Sequence, residues 1–543
     1  MPKPITLNTL FYGDNLPILR EHIPDESIDL VYLDPPFNSN RSYNVLFKDE
    51  RGEEAEAQIT AFDDTWHWNA AAERTFHELI QNAPAHVVTM LGALREFVGT
   101  NQMMAYLTMM AARLVELHRV LKPTGSLYLH CDPTASHYLK MVLDTIFGPE
   151  NYQNEVVWKR TSAHNDPKRW GNVHDVLLFY TKSGEFTWNI IYLEHSDEYK
   201  ARFRYTNPDG RRWTDDNLTA KGLSGGGYEY EYKGAKSLWR LPLETMQKLD
   251  AEGRLHFTRT GGIRLKRYLD ETAGLTIQDV VSDIFPINSQ AQERLGYPTQ
   301  KPLALLERII QASSNEGDVV LDPFCGCGTA VAAAHKLNRR WIGIDITYLS
   351  VSLMKYRLKD MFGLVEKQDY AVLGEPEDLS SARQLARSDR YQFQWWALSL
   401  VQAKPLGGEG GREGKKGSDK GMDGVLNFLE EKGKLQRVLI QVKSGHVKSG
   451  DVRDLRGVVE REEAALTVFV TLETPTQDMV TEAVSAGYFQ SKAWQKDYPR
   501  IQILTVEDLL AGKGIDMPPS AYGTFKQAEK VKKQVGKQGQ LGI

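Results

Sequence analysis

Short apolar runs alternate with amphipathic stretches through the first third of the chain, and this pattern returns after about residue 300. The run "IDLVYL" predicts a buried strand that ends just before Asp34, and "GSLYLHCD" predicts another strand. In "MMAYLTMMAARLVELHRVL" the apolar residues recur at helical spacing. Strands that alternate with helices in this way predict a doubly wound α/β sheet.

The pattern changes between about residues 186 and 285. Basic and aromatic residues interleave in "YKARFRY" and "RLKRYL", and a glycine-rich "GLSGGGYEY" lies between them. No regular period is visible, so this stretch is predicted as an insertion whose elements the sequence does not define. After it, "DVVLDPF", "TAVAAAHKLN" and "RRWIGIDI" predict a further strand, helix and strand.

A second, smaller α/β domain is predicted after the glycine-rich segment Gly407 to Gly421. Its pattern reads strand, strand, helix, strand, helix, strand. The glycine-rich segment implies that the two domains fold independently. The predicted boundaries are residues 1–365 for the first domain, 366–389 for a connector, 390–515 for the second domain and 516–543 for a basic, disordered tail.

Composition fits a protein of several domains. The chain has 543 residues, 41% of them hydrophobic, and a formal net charge of −5. Any nucleic-acid surface must therefore be local. Three cysteines do not make a disulfide scaffold, and no leader or membrane-spanning run is visible, so a cytoplasmic protein without a membrane partner is expected.

The stretch "VVLDPFCGCGTA" carries the first chemical signal. It predicts a strand, a tight turn at Gly326 and Gly328, and a helix, and Asp345 ends the next strand. That arrangement is typical of a Rossmann-like fold in which the acid holds a ribose. A third glycine and a Walker lysine-serine pair are absent, which favours an adenosine ligand without phosphates, such as S-adenosylmethionine.

The motifs "DPPF", "TQKP" and "DPFCGCGT" together resemble the amino-group DNA methyltransferases, the adenine N6 and cytosine N4 family. Their order is that of the β subgroup, which includes type III modification subunits, and the resemblance covers roughly residues 7–365. It implies methyl transfer from S-adenosylmethionine to a base flipped out of double-stranded DNA. A homodimer and a restriction-system partner subunit both stay open.

The resemblance assigns catalysis to the first motif. The side chain of Asp34 and the carbonyl of Pro35 would accept hydrogen bonds from the exocyclic amine, which is a poor nucleophile until its lone pair is oriented. Pro36 would stiffen the turn, and Phe37 would stack on the flipped base. A capped turn at the end of a strand is the plain structural alternative.

The resemblance also assigns a cofactor site. Thr299 and Lys301 would reach the cofactor carboxylate, Asp345 its ribose and Asp14 its adenine. The residues expected at the methionine end are Asp322, Phe324, Gly326, Gly328 and Thr329. Cys325 and Cys327 are predicted to be packing residues, because no second cysteine pair or histidine completes a zinc set.

Aspartate at position 34 favours a DNA base over a protein glutamine, since enzymes of the latter kind carry "NPPY". It also favours adenine over cytosine, where "SPPY" is commoner. The insertion, residues 186–285, is the candidate for target recognition, since its cations can neutralise phosphates and its aromatic rings can stack on bases. A solvated surface region is the alternative.

The second domain, at "GMDGVLNF" and "LIQVK", resembles the Mrr-like restriction endonucleases of the PD-(D/E)xK fold. The resemblance implies that Asp423 and Gln441 hold Mg²⁺ and that Lys443 acts beside them. Gln441 replaces the commoner acid, so a unit that binds DNA without cutting it is one alternative. A nuclease with a non-catalytic, cofactor-sensing N-terminal part is another, and the intact methyltransferase motifs argue against it.

Overall fold

The computed structural model describes most of the chain. The described residues are 2, 4–36, 42–48, 54–63, 68–161, 168–220, 227–288, 291, 293–295, 297, 299–406, 422–430 and 434–519. Phe37, the glycine-rich segment and nearly all of the predicted basic tail lie outside these residues.

Within these residues a nine-stranded sheet forms the centre of the fold, in the order β16-β6-β7-β5-β2-β17-β18-β1-β19. Its strands are β1 (Asn8–Tyr12), β2 (Ile28–Leu33), β5 (Leu121–Cys131), β6 (Tyr152–Lys159), β7 (His174–Thr181), β16 (Val280–Val281), β17 (Val319–Asp322), β18 (Arg340–Asp345) and β19 (Tyr370–Leu373). A separate hairpin pairs β3 (Ser42–Lys48) with β4 (Glu54–Asp63).

The sheet is parallel apart from β7, which runs antiparallel to both of its neighbours. Strand β17 lies between β2 and β18, so the carboxyl ends of these three parallel strands meet at one edge. The helices of this part are α1 (Asn15–His22), α2 (Ala70–Asn82), α3 (Ala85–Val98), α4 (Gln102–Val120), α5 (Ser136–Phe147), α8 (Leu303–Ser313), α9 (Thr329–Lys336) and α10 (Tyr348–Phe362), with a 3-10 turn at Pro149–Asn151.

Two hydrophobic clusters cover the two faces of the sheet. In β2, Val31 and Leu33 join the cluster of helices α1 to α5, whereas Leu30 and Tyr32 join that of α8 to α10. Successive strand residues point to opposite faces, so a strand buried on both faces reads as a continuous apolar run. The predicted doubly wound α/β fold is therefore confirmed for this part, including the strands that precede Asp34 and end at Asp345.

Residues Ile190–Gln278 form a compact unit of their own, called here the inserted unit. Its elements are β8 (Tyr192–Leu193), α6 (Asp197–Ala201), β9 (Tyr205–Thr206), β10 (Arg212–Asn217), β11 (Tyr228–Tyr232), β12 (Ala235–Trp239), α7 (Leu243–Ala251), β13 (Leu255–Phe257), β14 (Ile263–Tyr268), a 3-10 turn (Leu269–Glu271) and β15 (Leu275–Thr276). Its largest sheet, among the described strands, has the order β13-β14-β10-β9.

The C-terminal part contains a sheet with the order β20-β21-β22-β23-β26, in which β21 and β22 form an antiparallel pair and β22, β23 and β26 are parallel. Its elements are α11 (Leu379–Ser388), α12 (Arg390–Leu400), β20 (Lys404–Pro405), β21 (Gly424–Leu429), β22 (Leu435–Lys443), α13 (Ser449–Arg461), β23 (Leu466–Thr471), α14 (Gln477–Ser485), β24 (Tyr488–Ser491), β25 (Lys496–Pro499), β26 (Ile501–Thr505) and α15 (Val506–Leu510).

The C-terminal part shares part of its core with the large sheet, and independent folding of the two predicted domains stays a prediction. Tyr348, at the start of α10, is buried in the same cluster as Phe393, Trp396 and Phe428. The large sheet and the C-terminal part accordingly belong to one compact unit. Helix α12, which the sequence pattern did not reveal, makes this junction.

None of the helices in the described part of the chain is long and apolar enough to cross a membrane.

Candidate active site

A cavity of about 240 Å³ lies at the edge where β2, β17 and β18 end. Its lining includes eleven of the predicted catalytic and cofactor residues, namely Asp14, Asp34, Pro35, Pro36, Thr299, Lys301, Asp322, Phe324, Gly326, Thr329 and Asp345. The carboxyl edge of parallel strands, at a switch in strand order, is where such folds bind ligands. The structure therefore brings together motifs that are far apart in the sequence.

Asp34 follows β2 directly, and its Oδ2 forms an ion pair with the Nζ of Lys301. Lys301 precedes α8 and is only 9% exposed. Pro35 is buried beside Asp34, and Pro36 is half-buried. The stacking role predicted for Phe37 concerns a residue outside those described and stays a prediction.

The glycine turn after β17 is held by Asp345. The backbone N–H of Gly326 donates to Asp345 Oδ2 at 2.9 Å, and the N–H and hydroxyl of Thr347 donate to Oδ1, each at 2.9 Å. Gly326 and Gly328 have φ values of +49° and +73°, in the region that favours glycine. A Cβ on Gly328 would lie 2.5 Å from Met354 Cγ, so the turn also needs glycine for space.

Asp322, at the end of β17, is buried and accepts a hydrogen bond from the N–H of Phe324 at 3.1 Å. Burial raises the pKa of Asp322 well above its ordinary value, and the nearby carboxylates of Asp34 and Asp345 raise it further. Burial also raises the pKa of Asp345, against the hydrogen bonds that favour its charged form. Together with Asp14, the cavity thus has four acids in its lining.

A largely buried arginine on α4, with 11% of its side chain exposed, organises the other end of the cavity. Arg113 Nη2 donates to Asp14 Oδ1 at 2.7 Å, and its Nε donates to Asn15 Oδ1. The amide of Asn15 donates in turn to the carbonyl of Pro323 at 2.7 Å. Arg113 was not predicted as a site residue, although a lone arginine in the apolar run "MMAARLVELH" is a signal that could have indicated it.

A second buried arginine holds the glycine turn from behind. Arg357, on α10, donates to the carbonyl of Cys327 at 3.1 Å and to the hydroxyl of Thr329 at 3.0 Å. Cys325 and Cys327 are buried free thiols, as their predicted packing role requires, and burial raises the pKa of both. Nothing in the sequence pattern around Arg357 indicated this contact.

Tyr32, two residues before Asp34, begins a buried polar chain that the sequence did not predict. Its hydroxyl lies 3.0 Å from His130 Nδ1, and His130 Nε2 lies 3.4 Å from Asp175 Oδ2. Burial raises the pKa of Asp175, but the His130 contact and the Arg160 charge at 2.9 Å outweigh it and lower that pKa. This chain fixes the wall of the cavity beside Asp34.

In the C-terminal part, the predicted nuclease residues lie on one face of the β21–β22 pair. Gly424 pairs with Ile440, so Asp423 falls opposite Gln441, and Lys443 follows two residues later on the same side. However, the backbone N–H of Val442 donates to Asp423 Oδ2 at 2.6 Å. One acceptor site of the only carboxylate in this predicted set is therefore occupied.

Among the described residues, no group of three or more histidine, cysteine, aspartate or glutamate side chains is arranged to hold a metal ion. Asp423 and Gln441 together offer one charge and one dipole. This set does not fit a Mg²⁺ site supplied by the protein alone.

Comparison with known proteins agrees with this geometry. Residues 28–354 match the N6/N4 DNA methylase family model, which spans more than half of the chain, so the chain belongs to that family. Residues 405–511 match a family described as NACHT-associated inactive restriction endonuclease 1. The Mrr-like assignment of this part stays a prediction.

Two curated relatives and one solved structure illustrate the similarity. The chain is 33% identical to the type II methyltransferase M.EcaI of Enterobacter cloacae over 345 residues, 62% of this chain and 66% of the relative. It is 29% identical to the StyLTI Mod subunit, a type III restriction-modification enzyme of Salmonella typhimurium, over 351 residues, 61% of this chain and 50% of the relative. The chain thus spans less than two thirds of each relative. The crystal structure of the PvuII DNA methyltransferase, described as cytosine-N4-specific, matches with 14% identity and a TM-score of 0.30 over 65% of this chain and 87% of that one.

Proposed function

We propose that the chain transfers a methyl group from S-adenosylmethionine to the exocyclic amine of a base in double-stranded DNA. The observation that carries this proposal is the cavity at the strand ends. Asp34 lies in it beside the glycine turn at Gly326, which is hydrogen-bonded to Asp345. Membership of the DNA methylase family supports it.

The residues of the cavity fit this cofactor. Asp345 Oδ2 accepts one hydrogen bond from the protein, and a carboxylate oxygen has two acceptor sites, so it retains capacity for a ribose hydroxyl. Met109, Leu306 and Ile346 add apolar surface to the lining. Lys301 supplies a cation for the cofactor carboxylate. When bound, the cofactor supplies a methyl group activated by the sulfonium.

Asp34 and Pro35 would orient the amine. The lone pair of an exocyclic amine is delocalised into the base, and acceptors for both N–H groups direct it toward the methyl group. Holding the two reacting groups in line can lower the barrier by roughly 7–11 kcal/mol, so the buried, proline-stiffened turn acts mainly by alignment. The base must leave the duplex to reach it, at a cost of a few kcal/mol.

We expect adenine N6 to be the methylated position, because the acid at position 34 is the form commoner in adenine enzymes. Modified DNA is digested to nucleosides, and mass spectrometry then distinguishes N6-methyladenine from N4-methylcytosine. N4-methylcytosine as the sole product would contradict the choice of base and leave the amine chemistry intact.

The inserted unit offers a surface for DNA on one face of its four-stranded sheet. In β14, Ile263 and Leu265 pack into the cluster around Trp239, so the alternate residues Arg264 and Lys266 lie on the opposite face. This face thus presents two cations from one strand. We infer that it contacts the phosphates and base edges of the duplex.

Aromatic and amide groups share that face. Trp213 stacks on Tyr205 with a centroid separation of 4.4 Å, and the Lys266 ammonium lies 5.3 Å from the Trp213 ring centre. Asn217 lies directly across from Arg264 in the sheet and is exposed. Trp213 itself is only 6% exposed, so the amide and the cations are the groups on this face that can read base edges and neutralise phosphates.

The double variant Arg264→Ala, Lys266→Ala should bind DNA more weakly, with a shallower dependence of log Kd on log salt. The slope should fall by roughly 0.9 for each phosphate that the variant no longer neutralises. The matched control is Arg211→Ala, since Arg211 is already paired with Asp270 and Glu271. Equal salt slopes in the wild type and the double variant would place the DNA surface elsewhere.

For the C-terminal part we favour the non-catalytic alternative. The hydrogen bond from Val442 to Asp423, the neutral Gln441 and the matched family described as inactive all support it. We expect purified protein with millimolar Mg²⁺ to leave methylated and unmethylated DNA uncut. Cleavage that is lost in both Asp423→Ala and Lys443→Ala would instead establish the Mg²⁺-dependent nuclease.

We place this activity in a restriction-modification system. M.EcaI is a type II methyltransferase by name, and the StyLTI relative is named as a subunit of a restriction-modification enzyme. A partner subunit therefore belongs to the proposal.

A further inference from the structure

Lys301 can pair with either of two carboxylates that the proposed reaction needs, that of Asp34 and that of the cofactor. Its ammonium pairs with Asp34 Oδ2, and both residues line the cavity where the cofactor carboxylate is expected. The side chains of Lys301 and Asp34 are only 10% and 16% exposed, so water competes little for either charge. The ion pair is therefore an obstacle to any other ligand of Asp34.

The amine of a base is a weaker ligand for Asp34 than Lys301 is. The Lys301 ammonium adds the attraction of a full positive charge for the Asp34 carboxylate, which is strong where water is largely excluded, whereas the aromatic amine is a neutral donor. A base that enters the cavity while Lys301 holds Asp34 must displace or share that contact. Asp34 is thus poorly available for the base in the free protein.

The other acids of the cavity are poor alternative partners for Lys301. Burial raises the pKa of Asp322 well above its ordinary value, which disfavours its charged form. Asp345 already accepts three hydrogen bonds, from Gly326 and Thr347, and the proposed ribose hydroxyl takes its remaining capacity. Asp14 is already paired with Arg113. A ligand that brings its own carboxylate is the competitor that remains in this cavity.

We propose that Lys301 exchanges partners, holding Asp34 in the free protein and moving to the cofactor carboxylate when the cofactor binds. The exchange leaves Asp34 free to accept the N–H groups of the base. This inference rests on the proposed function. The flexible four-carbon stem and rotatable donors of lysine suit such a movement.

The consequence is positive coupling between cofactor and DNA. Each ligand should tighten the binding of the other by the same factor, since coupling free energies are reciprocal. The coupling should depend on three groups, the ammonium of Lys301, the carboxylate of Asp34 and the carboxylate of the cofactor. Removal of the lysine ammonium or of the cofactor carboxylate should abolish it, even where the separate affinities change little.

The test measures the dissociation constant of S-adenosylhomocysteine with and without long unmethylated duplex DNA, by equilibrium dialysis. The same pair of measurements uses the decarboxylated analogue S-adenosyl-3-thiopropylamine on the unaltered protein. In the wild type, DNA should tighten S-adenosylhomocysteine by roughly tenfold, within the usual range of couplings, and the decarboxylated analogue by less than about twofold.

Lys301→Met should lose the coupling with both ligands, and Lys301→Arg should restore part of it. The matched control is Lys336→Met, which breaks a surface ion pair with Glu307 and should couple as the wild type does. Coupling that persists in Lys301→Met, or with the decarboxylated analogue, overturns the exchange, as does a wild type without coupling. Failure of the wild type to bind S-adenosylhomocysteine at all would contradict the proposed function itself.

Discussion

Asp34→Ala is expected to abolish detectable methyl transfer while cofactor affinity stays within about tenfold of the wild type. The interaction that this variant removes is made mainly to the amine in the transition state, and loss of one such partner typically lowers the rate by roughly 10²–10³-fold. Loss of alignment adds to that effect. Labelled methyl transfer gives the rate, and calorimetry gives the affinity.

The matched control for this substitution is Asp25→Ala. Asp25 is an exposed acid paired with Arg119, away from the cavity lining, and its removal should leave both quantities unchanged. An Asp34→Ala protein that binds cofactor far more weakly, and that regains the wild-type rate at saturating cofactor, would move Asp34 from the base site to the cofactor site.

Asp345→Ala is expected to weaken cofactor binding by about 1–3 kcal/mol, the usual penalty for leaving hydrogen-bonding groups without partners. The effect should lie at the upper end of that range. The carboxylate organises the glycine turn through Gly326 and anchors the start of α10 through Thr347, as well as facing the proposed ribose site.

The cofactor dissociation constant of Asp345→Ala is measured by calorimetry, with Asp283→Ala as the matched control. Asp283 is half-exposed and pairs with Arg308 on α8, so its removal should not change the cofactor dissociation constant. Equal affinities in Asp345→Ala and the wild type would place the ribose elsewhere in the cavity.

The central sheet and its site could be predicted because their signal is local. The apolar runs before Asp34 and Asp345 each mark a strand, and parallel strands end at a common edge. Placing an acid, a glycine turn and a second acid at those ends therefore predicts one cavity without any knowledge of distant packing. The order of β2, β17 and β18 in the sheet is what brings these residues to one cavity.

The supporting contacts could not be predicted in this way. Arg113 and Arg357 reach the site from helices α4 and α10, and which turn of a helix faces a given loop depends on packing that no short pattern encodes. The same holds for the pairing of Tyr348 with the C-terminal core, which joins segments on either side of a predicted connector. The periodicity of apolar residues indicates which face of a helix is buried, but it does not indicate which residues cover that face.

In the C-terminal part too, the local pattern could be predicted and the contact between strands could not. Alternation along β22 correctly predicts that Gln441 and Lys443 share a face, since successive side chains of a strand point to opposite sides. The hydrogen bond that Asp423 accepts from Val442 depends on cross-strand register, which the motif alone does not show. That hydrogen bond is one of the three observations on which the proposed non-catalytic unit rests.

The most direct test of the central claim is transfer of label from S-adenosyl-[methyl-³H]methionine to unmethylated duplex DNA by the purified full chain. Label should stay with the DNA, reside on an exocyclic amine and be absent when Asp34→Ala replaces the wild type. Wild-type protein that binds the cofactor and the DNA yet leaves the DNA unlabelled would contradict that claim.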